Sequence, residues 1–125
     1  MTRVAAFLAG CIAAAACFSE RSAAPPESTL TCARAELPAG PDSAFVIIRG
    51  FAYTPAQLTV PVGTRVVWIN CEPAGTPGHT TTDDGGAWDS PTLAPGEVFS
   101  VLPAAGSYDY YCRPHPFIEG QLLVQ

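Results

Sequence analysis

Tyr108-Asp109-Tyr110-Tyr111-Cys112-Arg113-Pro114-His115-Pro116-Phe117-Ile118-Glu119-Gly120 is the passage on which the rest of the chain turns. Tyr108, Tyr110 and Cys112 alternate as residues on one face of a β-strand do, so the thiol points to the same side as two aromatic rings. Three residues beyond the thiol, His115 stands between Pro114 and Pro116, which restrict the backbone on either side and remove two N–H donors. The chain's other histidine, His79, lies well upstream. One thiolate and two imidazoles, with no fourth strong donor, form the ligand set of a trigonal His₂Cys copper site.

Outward from this strand the chain is short strands and turns. Ala44 to Phe51 reads as a strand, followed by a turn at Thr54-Pro55, and Gln57 to Val60 as a second strand broken by Pro61-Val62-Gly63. Thr64 to Asn70 alternates, which places Val66, Trp68 and Asn70 on one face and Arg65, Val67 and Ile69 on the other. Cys71 to Ser90 is rich in loop residues. Leu93-Ala94-Pro95-Gly96 turns into the strand Glu97 to Leu102, Ala105-Gly106 turns into the Cys112 strand, and Gly120 to Gln125 closes the chain. Short strands at this spacing, with no amphipathic helical stretch, predict an all-β antiparallel sandwich in one domain. The composition agrees: 13 prolines and 11 glycines in 125 residues supply turns, not helices.

The first residues are read apart from the fold. Met1-Thr2-Arg3 is a positive start, and Val4 to Phe18 is apolar but too short for a typical membrane-spanning helix, as a signal segment is. Three processing sites compete: Ser22-Ala23-Ala24, Leu8-Ala9-Gly10-Cys11 and Ala14-Ala15-Ala16-Cys17, the latter two in lipobox form. Residues 1–24 are thus expected to be a signal peptide or lipoprotein signal, 25–43 a polar linker or N-terminal arm, and 44–125 the copper-binding domain. The protein is expected to be exported, either to the periplasm or to a membrane through a lipid anchor. The exported part keeps Cys32, Cys71 and Cys112, and an odd count in an oxidising compartment points to one pair and one reserved thiol. Cys112 has the histidine neighbour, so Cys32 and Cys71 are left to pair; two unpaired thiols, or Cys71 as a fourth metal ligand, are the rivals. A net charge of −5 with no basic cluster argues against nucleic acid as a partner.

The stretch Cys112-Arg113-Pro114-His115-Pro116-Phe117-Ile118 resembles the copper loop of the cupredoxins, most closely the short amicyanin-type pattern Cys-x-Pro-His-Pro-Phe-Met. The similarity extends loosely back to about Phe45, through the Pro-Val-Gly turn and the strand ending in Trp68-Ile69-Asn70. The resemblance implies a Greek-key β-sandwich holding one type 1 copper through His79, Cys112 and His115. It also implies that the His115 ring edge reaches the surface within an apolar patch of Pro114, Pro116 and Phe117, where redox partner proteins dock. It implies, finally, a monomeric one-electron carrier and not an enzyme. Ile118 stands where the family has its axial methionine, and the carbonyl of Gly78 is a second axial candidate, weighed against a plain turn glycine. Thr80 occupies a place where relatives often carry an asparagine that ties the two ligand loops together.

Other classes fit less well. A copper oxidase or nitrite reductase module needs further histidines, and this chain has two. A copper storage or delivery protein relies on methionine- or histidine-rich tracts, whereas the single methionine is Met1. A non-redox sandwich with a disulfide or structural zinc remains, but Cys-x-x-His without a Cys-x-x-Cys partner is a weak zinc signal. Asp83, Asp84 and Asp89 lack the spacing of a calcium loop and read as a solvated hairpin. Tyr108, after Gly106, reads as a corner tyrosine bonded back to the main chain.

Overall fold

The strand Arg65–Asn70 shows why the chain folds in layers: Val66, Trp68 and Asn70 are all fully buried on one face. The computed structural model describes residues 31–36, 40 and 42–125, so the expected leader and its three cleavage sites lie outside the described residues. The described residues form one helical turn, α1 (Cys32–Ala35), and eight strands. These are β1 (Ser43–Ile48), β2 (Tyr53–Thr54), β3 (Gln57–Val60), β4 (Arg65–Asn70), β5 (Thr82–Asp83), β6 (Val98–Val101), β7 (Gly106–Cys112) and β8 (His115–Val124). They make two four-stranded sheets, ordered β2-β1-β4-β6 and β3-β8-β7-β5. Between them lies one apolar core that includes Val46, Ile48, Trp68, Trp88, Tyr110 and Leu122. Trp68 sits at its centre, with its ring 5.4 Å from both the Trp88 and Tyr110 rings.

The predicted sandwich is present, with one difference in pairing. β1 runs parallel to β4 and β3 parallel to β8, while the other strand pairs are antiparallel. The cause is the crossing of the chain between layers. β3 leaves the sheet of β1 and joins the opposite one, so β4 returns to β1 running in the same direction. The two-residue β5, which pairs with Tyr110 and Tyr111, lies in the stretch predicted as loop. It is too short to show a period of its own.

The β7–β8 hairpin carries the functional end. Its register runs from Gly106↔Val124 to Tyr111↔Glu119 and then jumps to Cys112↔His115, so Pro116, Phe117 and Ile118 bulge out of the ladder. Phe117 consequently points to solvent at 71% exposure while Ile118 is buried in the core. Gly120 faces Tyr110, whose ring fills the space that a Cβ at position 120 would need. Tyr108 Oη donates to the Ala104 carbonyl at 2.8 Å, the corner contact expected from its place after Gly106.

The arm before β1 is partly built into the fold. Thr31 caps α1 by accepting the Arg34 N–H at 3.3 Å. Ala35 then packs with Ile69 and Cys71 on the outer face of β4 in a second, smaller cluster. Ile69 is therefore fully buried, although the alternation of β4 puts it on the face away from the main core. Cys32 and Cys71 are joined in a disulfide across 39 residues, which removes Cys71 as a metal ligand. Such a cross-link stabilises chiefly by restricting the unfolded chain. Replacing both with serine should lower the free energy of urea unfolding by about 2–4 kcal/mol; an unchanged midpoint and slope would show that the bridge does not constrain the fold.

Candidate metal centre

Three elements deliver three side chains to one point. Cys112 is the last residue of β7 and His115 the first of β8, three residues on across the tight turn of Arg113 and Pro114. His79 arrives on the loop after β4. Its own backbone is bridged to Leu93, with the His79 N–H on the Leu93 carbonyl at 3.1 Å and the reverse bond at 2.7 Å. Gly78 permits this approach, since a Cβ there would collide with the Thr92 side chain and lie 3.1 Å from the Leu93 oxygen. Asn70, at the end of β4, donates to that same Leu93 carbonyl at 2.8 Å and accepts the Glu72 N–H at 3.0 Å.

The outcome is a compact donor cluster. Cys112 Sγ lies 3.6 Å from His79 Nδ1 and 3.7 Å from His115 Nδ1. The ligand atoms of all three residues fall within 4.8 Å of one another. Metal bonds of about 2.0–2.3 Å, set near 120° apart, separate a sulfur from a nitrogen by roughly 3.7 Å. The spacing thus fits one trigonal first-row metal ion, and the soft thiolate with two imidazoles suits copper. His79 and Cys112 are wholly buried, whereas His115 is half-buried.

The surroundings tie the two ligand loops together. Thr80 donates its backbone N–H to Cys112 Sγ at 3.3 Å, and its hydroxyl accepts the Arg113 N–H at 2.9 Å. The threonine hydroxyl and backbone thus span the two loops. Arg113 extends outward to Asp89 at 3.0 Å and to the Ser90 carbonyl at 2.8 Å. Asp89 also accepts from the Thr82 hydroxyl at 2.9 Å. The predicted solvated hairpin is accordingly more ordered than expected. Asp83 is buried and accepts the N–H groups of Gly86 and Ala87 in a tight turn. Tyr53, behind Thr80, donates its hydroxyl to the Thr80 carbonyl at 2.6 Å, and burial pushes this phenol far above its ordinary range.

Two residues that sequence reasoning missed border the cluster. Phe51 has a backbone φ of 55°, a left-handed conformation unusual for a bulky residue and costing on the order of 1–3 kcal/mol. Its ring centroid stands 5.2 Å from that of His79 and 5.1 Å from that of His115, edge to face in both cases. It also stacks near Phe117 at 6.4 Å. Exposed Pro114, Pro116 and Phe117, together with partly exposed Phe51, thus form an apolar rim around His115. The other missed residue is Glu72, buried beside His79. Neither carries a local signal: Phe51 ends an ordinary apolar run, and Glu72 is one acid in a polar loop.

Burial is the largest influence on His79 and lowers its pKa. Neighbouring His115 lowers it further, and Glu72 opposes both. On Glu72 burial is also the largest influence and acts upward. The N–H groups of Phe51 and Gly50, and then His79, outweigh it and leave the carboxyl below its ordinary range.

Residues 45–125 match the model of a family described as copper binding proteins, plastocyanin/azurin family. The chain is 31% identical over 132 residues to the amicyanin of Paracoccus denitrificans, a match covering 99% of this chain and 97% of that protein. Among solved structures it resembles a variant of amicyanin in its Cu(I) form, with a TM-score of 0.61 and 32% identity over 79% of this chain and 95% of that one. It also resembles a purple cupredoxin from Nitrosopumilus maritimus, with a TM-score of 0.57 and 31% identity over 66% of this chain and 99% of that one. The two-sheet sandwich and its His-Cys-His cluster place the chain among the cupredoxins. The chain belongs to the plastocyanin/azurin family of copper-binding proteins, and copper is its cofactor.

Both lowered pKa values act in one direction on the metal-free protein. The unfolded chain takes up a proton on histidine below about pH 6.5 and on glutamate below about pH 4.3, while folded His79 and Glu72 resist until lower pH. Stability should therefore be fully present above about pH 6.5 and fall as the pH drops below it. Urea titrations of the metal-free protein between neutral and acid pH check this, and stability that rose on acidification would contradict the assigned shifts.

Proposed function

We propose that the protein is a small exported electron carrier whose copper is held by His79 Nδ1, Cys112 Sγ and His115 Nδ1. The observation that carries this reading is the convergence of ligand atoms of those three residues within 4.8 Å, on a chain of the plastocyanin/azurin family. Copper, when bound, supplies a one-electron Cu(II)/Cu(I) couple. The protein's part is to keep the donors still. His79 is fixed through Leu93, and Cys112 receives the Thr80 N–H. A thiolate held in a buried, hydrogen-bonded place needs little rearrangement when the charge changes.

Electrons are proposed to pass at His115, the one half-buried ligand, through the rim of Pro114, Pro116 and Phe117. An apolar rim suits brief, weak docking by redox partner proteins. The chain is proposed to act as a monomer, and with both histidines of the sequence in this one cluster no second copper centre is left to transform a substrate. Export is supported by the apolar run Val4 to Phe18 and by the Cys32–Cys71 disulfide, which persists in oxidising compartments. The proposed organisation is a leader over 1–24, an arm over 25–43 and the copper domain over 44–125, with the mature protein periplasmic or held by a lipid anchor.

Cys112→Ser should abolish the intense visible charge-transfer band of the Cu(II) protein while circular dichroism stays that of a sandwich. A blue spectrum surviving in Cys112→Ser would overturn the ligand assignment. His115→Ala should leave an opening at the rim that added imidazole fills, restoring the band.

Ile118 is proposed to occupy the axial position without donating, and the Gly78 carbonyl is the candidate for a weak axial contact. A branched apolar side chain keeps water off the metal and offers no thioether to the higher charge, so the reduction potential should be high for this family. Ile118→Met should lower it, each ~59 mV being a tenfold change in the one-electron equilibrium. Voltammetry of a variant that keeps its blue band decides the point, and an unmoved potential would place Ile118 away from the metal.

A further inference from the structure

Glu72 is an acid where an acid is costly. Its side chain is 4% exposed and that of His79 fully buried, with His79 Nε2 3.4 Å from Glu72 Oε1. That contact is long and poorly aligned, so Nε2 is a buried polar atom without a well-formed hydrogen bond, and the carboxylate is what it faces. The other ring nitrogen, Nδ1, is the one turned toward Cys112 Sγ. The same Glu72 Oε1 accepts the Phe51 N–H at 2.8 Å. One oxygen therefore serves both the imidazole and the backbone of the left-handed residue whose ring lies against His79 and His115. Glu72 is itself held from behind: Asn70 Oδ1 accepts its N–H at 3.0 Å, and the preceding residue is disulfide-bonded Cys71.

We propose that Glu72 is the positioning residue of this centre, keeping the His79 proton on Nε2 and, through the Phe51 N–H, holding the Phe51 ring against both imidazoles. The first role follows from charge: a carboxylate beside Nε2 favours the tautomer with N–H there, which leaves the Nδ1 lone pair facing the cluster. It also feeds electron density through the ring and makes Nδ1 a better donor to the higher-charged metal. The second role follows from strain. A phenylalanine at φ 55° does not stay left-handed without an anchor, and the bond from its N–H to a buried carboxylate is charge-assisted. A carboxylate that merely capped the Gly50–Phe51 turn would do its work equally well as an amide, and this separates the two explanations.

This inference rests on copper ligation by His79, and the test keeps the two apart. Glu72→Gln retains an oxygen acceptor for both N–H groups and loses only the charge. Its copper-loaded form should keep the blue band, while its one-electron equilibrium with a fixed redox couple shifts about tenfold toward the reduced form, ~59 mV upward. A blue band with an equilibrium within twofold of the parent overturns the proposal and leaves the ligand assignment standing. A parent protein that never shows the band overturns the ligand assignment instead. The metal-free protein supplies the second readout. Imidazole ¹⁵N shifts should show His79 protonated on Nε2 in the parent and a mixture of tautomers in Glu72→Ala, where the Phe51 amide should also lose its protection from hydrogen exchange. An unchanged tautomer and an equally protected amide in Glu72→Ala overturn the proposal; if that variant does not fold, the shift in Glu72→Gln decides alone.

Discussion

The structure depends on how a buried thiol is satisfied where two loops from different parts of the chain meet. Cys112 Sγ is closed to solvent, with the Thr80 N–H at 3.3 Å and imidazole nitrogens at 3.6 and 3.7 Å. In the proposed function this sulfur carries negative charge, and burying such charge is costly unless donors or a cation answer it. Thr80 answers on one side and also holds the loops at a fixed distance, because its hydroxyl takes the Arg113 N–H at 2.9 Å. Movement of either loop would break both bonds and strand a buried polar group.

The remainder of the sandwich makes that junction rigid from three directions. Asn70 closes β4 by bonding to Leu93, whose backbone in turn brackets His79. Tyr53 reaches through the core to the Thr80 carbonyl, and Tyr110 lies under it, 4.9 Å from the Tyr53 ring. On the outer face, α1 and the Cys32–Cys71 bridge cover Ile69 and anchor the strand end from which Glu72 leaves. A tightly packed interior transmits displacement, so a centre framed in this way has little freedom to rearrange when its charge changes by one.

The two histidines are unequal. His79 is sealed inside, with Glu72 behind it; His115 is half-buried and set among exposed proline and phenylalanine side chains. One side of the centre is therefore a matter of internal electrostatics and the other a matter of surface contact. Phe51 touches both rings and belongs to both sides. In the proposed function, this asymmetry separates the tuning of the site from its recognition by partners.

Much of this was legible in the sequence because it is local. The alternation Tyr108, Tyr110, Cys112 needs only a strand period of two, and the position of His115 needs only the prolines beside it. Five of the strands follow from runs of alternating or apolar residues. An odd number of exported thiols, one of them beside a histidine, pointed to the Cys32–Cys71 pair, which the fold then decided against the rival readings. What only the tertiary structure decided are relations between distant segments. β1 and β4 run parallel because the chain crosses to the other sheet and returns, and no local pattern records a crossing. Ile69 is buried on the outer face because a helical turn far upstream covers it. Glu72 and Phe51, 21 residues apart, share a hydrogen bond that exists only once two strand ends lie side by side. Periodicity and spacing constrain neighbours along the chain, whereas the electrostatics of a buried site are set by whatever the fold brings within a few ångströms.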